Sequence, residues 1–361
     1  MNKTLSFSQG PGTGFLTGIK EKMKINSLER RLDKLLAVGN QVKQVIIVLH
    51  NNPDPDAIAS GAALKFLLEE KAGVKADIIY QGVIGRAENK ALVKYLDIPL
   101  QVLAEDSPLP ADCVALVDTH PGAGNHPLPE DILPLIVIDH HKISQNGLAV
   151  YSDVRPHVGA TSTIMTEYLQ AAGKRIPRRL ATALLYGIKT DTQALSRNAS
   201  PADVKAYCYL SYWADIDAFL SFEKAEVPAG YFQGLAAAME NARVYDDLVI
   251  SYLGDLPYPD LVAEIADVLL RLEGNRWVVC LGVYKDTLHF SIRTRDENGD
   301  VAGLAQTIAK DIGKAGGRDM IAGGQIPLQG ENPEKILETI HQRIINKFNL
   351  PPNATGTQLV Y

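Results

Sequence analysis

The chain has 361 residues, of which 46% are hydrophobic and 22% charged, and its formal net charge is −6. This length exceeds the roughly 100–200 residues of a typical single domain, so we expect two domains. No apolar run approaches the roughly 20 residues needed to span a bilayer and no signal peptide stands out, so we expect a cytoplasmic protein without a membrane partner. The acidic balance argues against a protein that coats long nucleic acid.

The first 40 residues predict an irregular arm followed by an entry helix, because leucines there follow helical spacing. From Val45 to about residue 205, short β-branched runs alternate with helical patterns. The runs are VIIVL (45–49), ADIIY (76–80), CVALV (113–117) and LIVI (135–138), and the helical patterns cover about 57–71, 86–96, 159–172 and 178–189. Runs that are apolar on both faces are typical of a parallel sheet with helices on both faces. The fold class predicted for residues 41–205 is therefore α/β.

A second pattern follows a helical linker predicted over 206–244. Strand patterns at 248–253, 277–285 and 287–294 alternate with helical patterns near 260–273, 301–313 and 333–348. They predict a smaller α/β domain over 245–350, followed by a tail at 351–361.

Acidic and imidazole side chains follow three of the predicted strands. They are His50, Asp54 and Asp56 after the first strand, Asp118 after CVALV, and Asp139, His140 and His141 around the end of LIVI, while Asp191 follows a predicted helix. Because parallel strands present their carboxyl ends at one edge of a sheet, we expect these groups to converge there. Such a cluster repels itself without cations, and mixed imidazole and carboxylate ligands favour Mn²⁺, with Mg²⁺, Co²⁺ or Zn²⁺ as alternatives. The set is large enough for two divalent ions sharing a bridging carboxylate.

Ordinary structural roles compete for each residue taken singly. Asp54 or Asp56 alone fits a turn or a helix N-cap, since Asp before an apolar helix is a common start. His50 alone fits a hydrogen-bonded core histidine. Only the combination of segments favours a metal site over these alternatives.

The same residues resemble a known family. HNNPDPDAIASG (50–61), VDTH (117–120), IDHH (138–141) and GIKTDT (187–192), in this order, resemble the four motifs of the DHH phosphoesterases. The smaller unit resembles the DHH-associated C-terminal domain, and together the two resemblances cover about residues 40–345.

The resemblance implies roles for individual residues. His50, Asp54 and Asp118 would hold one ion, and Asp118 would bridge to a second ion. Asp56, His140 and Asp191 would complete the second site. His141 matches the family's substrate-phosphate or acid position, and Asp139 matches a group that orients a histidine.

In the second domain, the resemblance implies substrate binding by an arginine on a strand and by a glycine-rich segment. Arg293 matches the arginine, and AGGRDMIAG (315–323) stands at the glycine-rich segment, with Arg318 where the family has a histidine. The glycines concerned are Gly316, Gly317 and Gly323. The alternatives are a solvated strand face for Arg293 and a helix C-cap with a turn for the glycines.

The two-domain size resembles the branch of the family that acts on short substrates. It implies a phosphodiesterase that degrades short oligoribonucleotides or linear dinucleotides to 5′-mononucleotides, and that also dephosphorylates 3′-phosphoadenosine 5′-phosphate. An exopolyphosphatase or pyrophosphatase-like hydrolase, an exonuclease for long single-stranded DNA and a nucleotide sensor without turnover remain alternatives. No extra oligonucleotide-binding segment or basic run is visible, which argues against the exonuclease. The expected partner is a short nucleotide substrate rather than a long duplex, and a homodimer is one candidate assembly.

Overall fold

The computed structural model describes residues 27–104, 107–109, 113–142, 149–173, 175–318 and 320–360. They form two compact units, one running to Ala225 and the other from Glu226 onward, with Gly85–Ala87 grouped with the second. The break lies inside the segment predicted as a linker, and the predicted domain limits stay predictions. Most of the predicted N-terminal arm lies outside the described residues, which begin with a helix over 27–39 (α1), where the leucine spacing predicts one.

The first unit alternates strands and helices. Its strands are β1 (Gln44–Val48), β2 (Lys75–Tyr80), β3 (Leu100–Val102), β4 (Val114–Val117), β5 (Ile136–Asp139) and β6 (Tyr151–Val154). Its further helices are α2 (Pro55–Leu67), continued by a π-helical turn over Leu68–Ala72, and α3 (Ala87–Leu96), α4 (Thr161–Ala171), α5 (Arg178–Asp191), α6 (Pro201–Trp213) and α7 (Ile216–Glu223).

These strands form a six-stranded parallel sheet in the order β3-β2-β1-β4-β5-β6. The predicted α/β class with a parallel sheet is therefore confirmed. The edge strands β3 and β6 escaped sequence analysis because LQV and YSDV are short and partly polar. The strand order reverses between β1 and β4, so the carboxyl ends of these neighbours flank the crevice where open α/β sheets bind ligands.

The two faces of this sheet are covered differently. Strand residues alternate between a large cluster that includes Ile47 and Val117 and a smaller one that includes Ile46 and Leu116. Among the described residues, the buried apolar side chains of this unit's helices all join the large cluster. Connecting segments, including Leu128, supply the rest of the smaller cluster. The β4–β5 connection, which contributes Leu128, is rich in Pro and Gly, which disfavour helix.

The second unit is built on a mixed sheet. Its strands are β7 (Arg243–Tyr245), β8 (Leu248–Asp255), β9 (Trp277–Tyr284), β10 (Thr287–Thr294), β11 (Lys314–Arg318), β12 (Ile321–Pro327) and β13 (Thr357–Gln358). Its helices are α8 (Ala229–Asn241), α9 (Leu261–Leu269), α10 (Val301–Ala309) and α11 (Pro333–Lys347). The strand order is β11-β12-β10-β9-β8-β7-β13, with β8 and β9 parallel and the other neighbours antiparallel.

The end of the chain adds a strand to this sheet. The segment predicted as a tail contains β13, whose Thr357 and Gln358 pair with β7. This pairing satisfies backbone groups at a sheet edge that would otherwise be open to other strands. In the part of the chain that the structure describes, no helix has the length and apolar character to cross a bilayer.

Candidate metal centre

The loop after β1 and the first turn of α2 place His50 beside Asp54. Asp54 is the N-cap of α2, and its Oδ1 accepts a hydrogen bond from the amide of Ala57 at 3.0 Å. The same oxygen lies 3.7 Å from Nε2 of His50, which is also 3.7 Å from Oδ2 of Asp118. The N-cap role that competed with a metal role in the sequence is thus real, and it leaves the carboxylate next to two other potential ligands.

Backbone carbonyls fix the orientation of both histidines that were predicted as ligands. Nδ1 of His50 lies 2.9 Å from the carbonyl oxygen of Asn51, and Nδ1 of His140 lies 3.2 Å from that of Val158. Because a carbonyl oxygen only accepts, each Nδ1 carries a proton and donates it. Nε2 of each ring then faces the carboxylates and, in the neutral imidazole, can offer its lone pair to a metal ion, as in metal-binding histidines.

Asp118 lies at the centre of the cluster, directly after β4. Its side chain is 2% exposed, and its φ of +59° lies in the left-handed region, which is costly for a residue other than glycine. The hydroxyl of Thr161 donates a hydrogen bond to its Oδ1 at 2.7 Å. Backbone strain of this kind persists where the surroundings fix a functional group, and here it directs the carboxylate between two histidines.

Asp56 is fully buried and faces the N-terminus of α4. Its two carboxylate oxygens accept hydrogen bonds from the amides of Thr161 and Ser162, each at 2.7 Å. Those amides belong to the first turn of a helix, where donors lack helical partners and the dipole favours an anion. Oδ1 also accepts a longer hydrogen bond from the hydroxyl of Ser60 at 3.4 Å. Oδ2 keeps a second lone pair, so the hydrogen bonds are compatible with metal coordination.

Helix α5 delivers Asp191 to the same place. Its Oδ2 lies 3.1 Å from Nε2 of His140. The approach of α5 depends on Gly187: a Cβ there would lie 2.5 Å from Oγ of Ser162 and 3.1 Å from Cα of Asp56. Close packing against Ser162 and Asp56 therefore explains why the GIKTDT motif begins with a glycine.

The structure brings all six predicted ligands together in overlapping groups of potential ligand atoms that lie within 4.8 Å of one another. The groups are His50 with Asp54 and Asp118, Asp56 with His140 and Asp191, and Asp118 with His140 and His141. In addition, Oδ1 of Asp118 lies 3.6 Å from Nε2 of His140. This arrangement matches the division between two ions that the resemblance implies, and the assignment of each ligand stays a prediction.

The electrostatics of the cluster fit divalent cations. Burial raises the pKa of Asp118 well above its ordinary value, and the charges of Asp56, Asp54 and Asp191 raise it further. Burial and the charge of Asp191 likewise raise the pKa of Asp56 to about 7. Carboxylates crowded in this way resist ionisation together unless protons or cations compensate them, so the residues present suit a pair of divalent ions.

Asp139 lies between two imidazoles. Its Oδ1 is 2.7 Å from Nδ1 of His141, and its Oδ2 is 2.6 Å from Nδ1 of His120. Although burial favours its neutral form, these hydrogen bonds outweigh burial and hold the pKa of Asp139 well below its usual range. An ionised Asp139 can therefore orient His141, which is one third exposed.

Two further residues or residue pairs of this cluster were not predicted from the sequence. His120 closes the VDTH motif and contacts Asp139, and its position three residues beyond the end of β4 was the available signal. The Thr161–Ser162 pair opens α4 and binds Asp56, for which a helix start rich in small polar residues was the only hint.

The second unit buries Arg293, which excludes one of its two sequence interpretations. The residue is on β10 and only 7% exposed, which contradicts a solvated strand face. Its Nε donates to Oδ1 of Asp267 at 2.7 Å, and its Nη1 donates to Oγ of Ser291 at 2.7 Å and to the carbonyl of Ile292 at 3.1 Å. Its role in substrate binding stays a prediction. A substrate phosphate would have to compete with Asp267 for the guanidinium.

The glycine-rich segment is a strand pair. Gly316 and Gly317 lie on β11 and Gly323 lies on β12, with Gly316 opposite Gly323. Since α10 ends at Ala309, these glycines do not form its C-cap, and that alternative was wrong. Arg318 ends β11, and its side chain lies outside the described residues.

Each of the two units matches a known protein family. Residues 44–188 match the DHH family, N-terminal domain, and residues 246–346 match the DHHA1 domain. An uncharacterized protein of Methanocaldococcus jannaschii is 38% identical over 304 residues, which make up 83% of this chain and 62% of that protein. A probable manganese-dependent inorganic pyrophosphatase of Bacillus cereus is 30% identical over 180 residues, or 49% of this chain and 57% of that protein. The chain thus spans less than two thirds of the length of either relative.

A solved structure resembles the chain over most of its length. The crystal structure of an exopolyphosphatase-related protein from Bacteroides fragilis matches with a TM-score of 0.65 at 16% identity, covering 88% of this chain and 96% of that one. At this identity the likeness establishes the fold. The two matching family models show that the chain carries a DHH domain followed by a DHHA1 domain and belongs to the DHH family.

Proposed function

We propose that this chain is a divalent-metal-dependent phosphohydrolase whose ions are Mn²⁺. The observation that carries the proposal is the position of Asp118, which belongs to two overlapping ligand groups and faces Nε2 of both His50 and His140. A carboxylate placed between two sets of ligands is the arrangement required to bridge a pair of ions. Mixed imidazole and carboxylate ligands suit manganese, and the Bacillus cereus relative is named as manganese-dependent.

Each part of the cluster has a distinct task in this proposal. Two bound ions would polarise a phosphoryl oxygen and activate water for attack on phosphorus. Asp139 holds the His141 ring by accepting from Nδ1, so that the imidazole keeps one orientation. We assign to His141 the contact with the substrate phosphate or the protonation of the departing oxygen.

Within this class we propose short oligoribonucleotides or linear dinucleotides as substrates, with 5′-mononucleotides as products and 3′-phosphoadenosine 5′-phosphate as a further substrate. The support is the pairing of a DHH domain with a DHHA1 domain and a net charge of −6, which suits a small anionic substrate held by cations better than a long duplex. A nucleotide sensor without turnover is less consistent with a site that holds ligands for two ions.

Phosphoanhydride hydrolysis is the second candidate. A specific observation favours it, because the Bacillus cereus relative is named as an inorganic pyrophosphatase at 30% identity. That likeness covers 49% of this chain, so it leaves the substrate of the whole protein open to test.

A substrate panel tests the proposal. The metal-free chain is loaded with Mn²⁺ and incubated with an RNA dinucleotide, 3′-phosphoadenosine 5′-phosphate, pyrophosphate and polyphosphate, and mononucleotide and inorganic phosphate are measured separately. We expect mononucleotide from the dinucleotide, and loss of turnover in Asp191→Asn. Phosphate release from pyrophosphate or polyphosphate alone would move the assignment to the second candidate, and no hydrolysis of any substrate would contradict the enzyme proposal.

A further inference from the structure

A buried carboxylate outside the predicted ligand set lies next to the metal centre. Asp203, in the first turn of α6, is 0% exposed. Its Oδ2 accepts hydrogen bonds from the amide and the hydroxyl of Ser200, both at 2.6 Å, which closes the capping box of α6. A capping box needs no further partners, yet this carboxylate has two more.

Those additional partners belong to the segment 158–163, which leads into α4. The amide of Gly159 donates to Oδ2 of Asp203 at 2.8 Å, and the hydroxyl of Thr163 donates to Oδ1 at 2.6 Å. Asp203 therefore holds the segment near both of its ends. Buried hydrogen bonds to a carboxylate are stronger than neutral ones, so the segment is firmly fixed.

The segment 158–163 in turn supports three of the predicted metal ligands. Its carbonyl at Val158 fixes the ring of His140, and its amides at Thr161 and Ser162 bind Asp56. The hydroxyl of Thr161 also binds the third ligand, Asp118. Among the contacts described, Asp203 is thus one hydrogen bond away from the segment that orients ligands from both predicted ion sites.

The fit between Asp203 and the segment leaves no room for a side chain at Gly159. A Cβ there would lie 2.7 Å from Cγ2 of Thr192, 2.9 Å from the carbonyl oxygen of Asn198 and 3.1 Å from Oδ2 of Asp203. The glycine permits the backbone to approach the carboxylate closely. The contact is therefore built into the packing of this corner of the unit.

We propose that Asp203 is a positioning residue for the metal centre, acting through the segment 158–163 to hold Asp56, Asp118 and His140 in the geometry that binds divalent ions. This inference rests on the proposed metal-dependent function. Groups that orient metal ligands by hydrogen bonding typically contribute roughly 10- to 100-fold to metal affinity. Asp203 contacts none of the predicted ligands itself and acts on them through the segment 158–163.

The test measures Mn²⁺ affinity, by following the electron paramagnetic resonance signal of free Mn²⁺ during titration of the metal-free full chain. We expect Asp203→Ala to weaken binding by roughly 10- to 100-fold. Asp203→Asn should bind close to wild type, because an amide oxygen still accepts from Gly159 and the amide nitrogen can donate to the hydroxyl of Thr163. If Asp203→Asn retains Mn²⁺ affinity that Asp203→Ala loses, the hydrogen bonds of residue 203, and not its negative charge, support metal binding.

Two further variants keep the test decisive. Ser200→Ala is the matched control: it removes the hydroxyl cap of α6 and leaves the bonds from Gly159 and Thr163 to Asp203, so Mn²⁺ affinity should stay near wild type while the melting temperature falls. Thr163→Val removes one bond to Asp203 and should weaken Mn²⁺ binding by roughly 2- to 10-fold, with recovery in Thr163→Ser. Thr163→Val also provides the answer if Asp203→Ala does not fold.

Two outcomes would overturn the inference. If Asp203→Ala or, where that variant does not fold, Thr163→Val binds Mn²⁺ as tightly as Ser200→Ala does, then Asp203 only caps α6. If the wild-type chain itself binds no Mn²⁺, the metal centre is wrong and the positioning role falls with it.

Discussion

Asp118 and His140 face each other across the ends of two neighbouring parallel strands, with Oδ1 of Asp118 3.6 Å from Nε2 of His140. On its other side, Oδ2 of Asp118 lies 3.7 Å from Nε2 of His50. One carboxylate thus faces a histidine from each predicted ion site. Removal of this carboxylate should affect both sites at once.

We expect Asp118→Ala to lower hydrolysis by about 100-fold or more and to lower the bound Mn²⁺ per chain, because both ions lose a ligand. The measurement is metal analysis of the purified protein together with turnover of the hydrolysed substrate. Asp97→Ala is the control, since that exposed carboxylate pairs only with Arg179 among the contacts described here. Equal activity and metal content in Asp118→Ala and wild type would show that the proposed centre is wrong.

The stability of the metal-free chain should fall as pH rises, because the folded structure raises the pKa values of Asp56 and His50. Burial and Asp191 raise the pKa of Asp56 from 3.8 to about 7. Burial disfavours protonation of His50, but the carboxylate of Asp54 and the carbonyl of Asn51 outweigh it and raise the pKa of His50 from 6.5 to about 9. Between pH 3.8 and about 7 for Asp56, and between pH 6.5 and about 9 for His50, the folded chain binds more protons than the unfolded chain. The free energy of unfolding therefore falls as pH rises through these ranges.

Thermal melts in the presence of a chelator between about pH 4 and 9 check this dependence. The variant Asp56→Asn should flatten the decline between about pH 4 and 7, and His50→Gln should flatten it between about pH 6.5 and 9, since neither new side chain titrates there. A decline that is unchanged in both variants would show that other groups cause it. Saturating Mn²⁺ should raise the melting temperature most at the alkaline end, because the ligands bind metal in their deprotonated forms.

Gly187→Ala should disturb the centre by packing alone. The new Cβ would lie 2.5 Å from Oγ of Ser162 and 3.1 Å from Cα of Asp56, so α5 must move away from α2 and carry Asp191 with it. We expect a loss of about 1–3 kcal/mol in the free energy of unfolding, measured by urea denaturation, together with weaker Mn²⁺ binding. Gly230→Ala is the matched control, because a Cβ there makes only ordinary contacts at 3.5 Å with Pro257. Retention of both stability and metal binding in Gly187→Ala would contradict this account of the motif glycine.

The prediction for Arg293 separates substrate binding from structure. If its guanidinium binds a substrate phosphate, Arg293→Gln should raise KM by roughly 10-fold or more and leave bound Mn²⁺ unchanged, since hydrogen bonds to charged groups are the stronger kind. Asp267→Asn serves as a comparison, because it removes the charge that now engages the arginine while keeping its size. A fall in melting temperature without a change in KM would assign Arg293 to the structure of the sheet alone.

Strand patterns were the most predictable part of this fold. The apolar runs at 45–49 and 113–117 became β1 and β4 within a residue at each end, because burial on both faces requires continuous apolar sequence. The short edge strand β3 offers no such signal, since two of its three residues are exposed. The strand pairing of Gly316 with Gly323 was equally hidden, because glycine is depleted in strands and suggests a turn.

The sequence by itself determined which residue types gather at the strand ends, because the chemistry of a metal site limits its ligands to a few side chains in motifs that can be recognised. His50, Asp118 and His140 were all predicted in this way, and the structure brings them together. Only the structure decided which nitrogen of each histidine faces the carboxylates, because the carbonyl of the adjacent Asn51 fixes the ring of His50 and that of Val158 fixes the ring of His140. It also decided that Arg293 is buried against Asp267 and that Asp203 holds the segment 158–163, because contacts between residues far apart in the chain leave no periodic trace in the sequence.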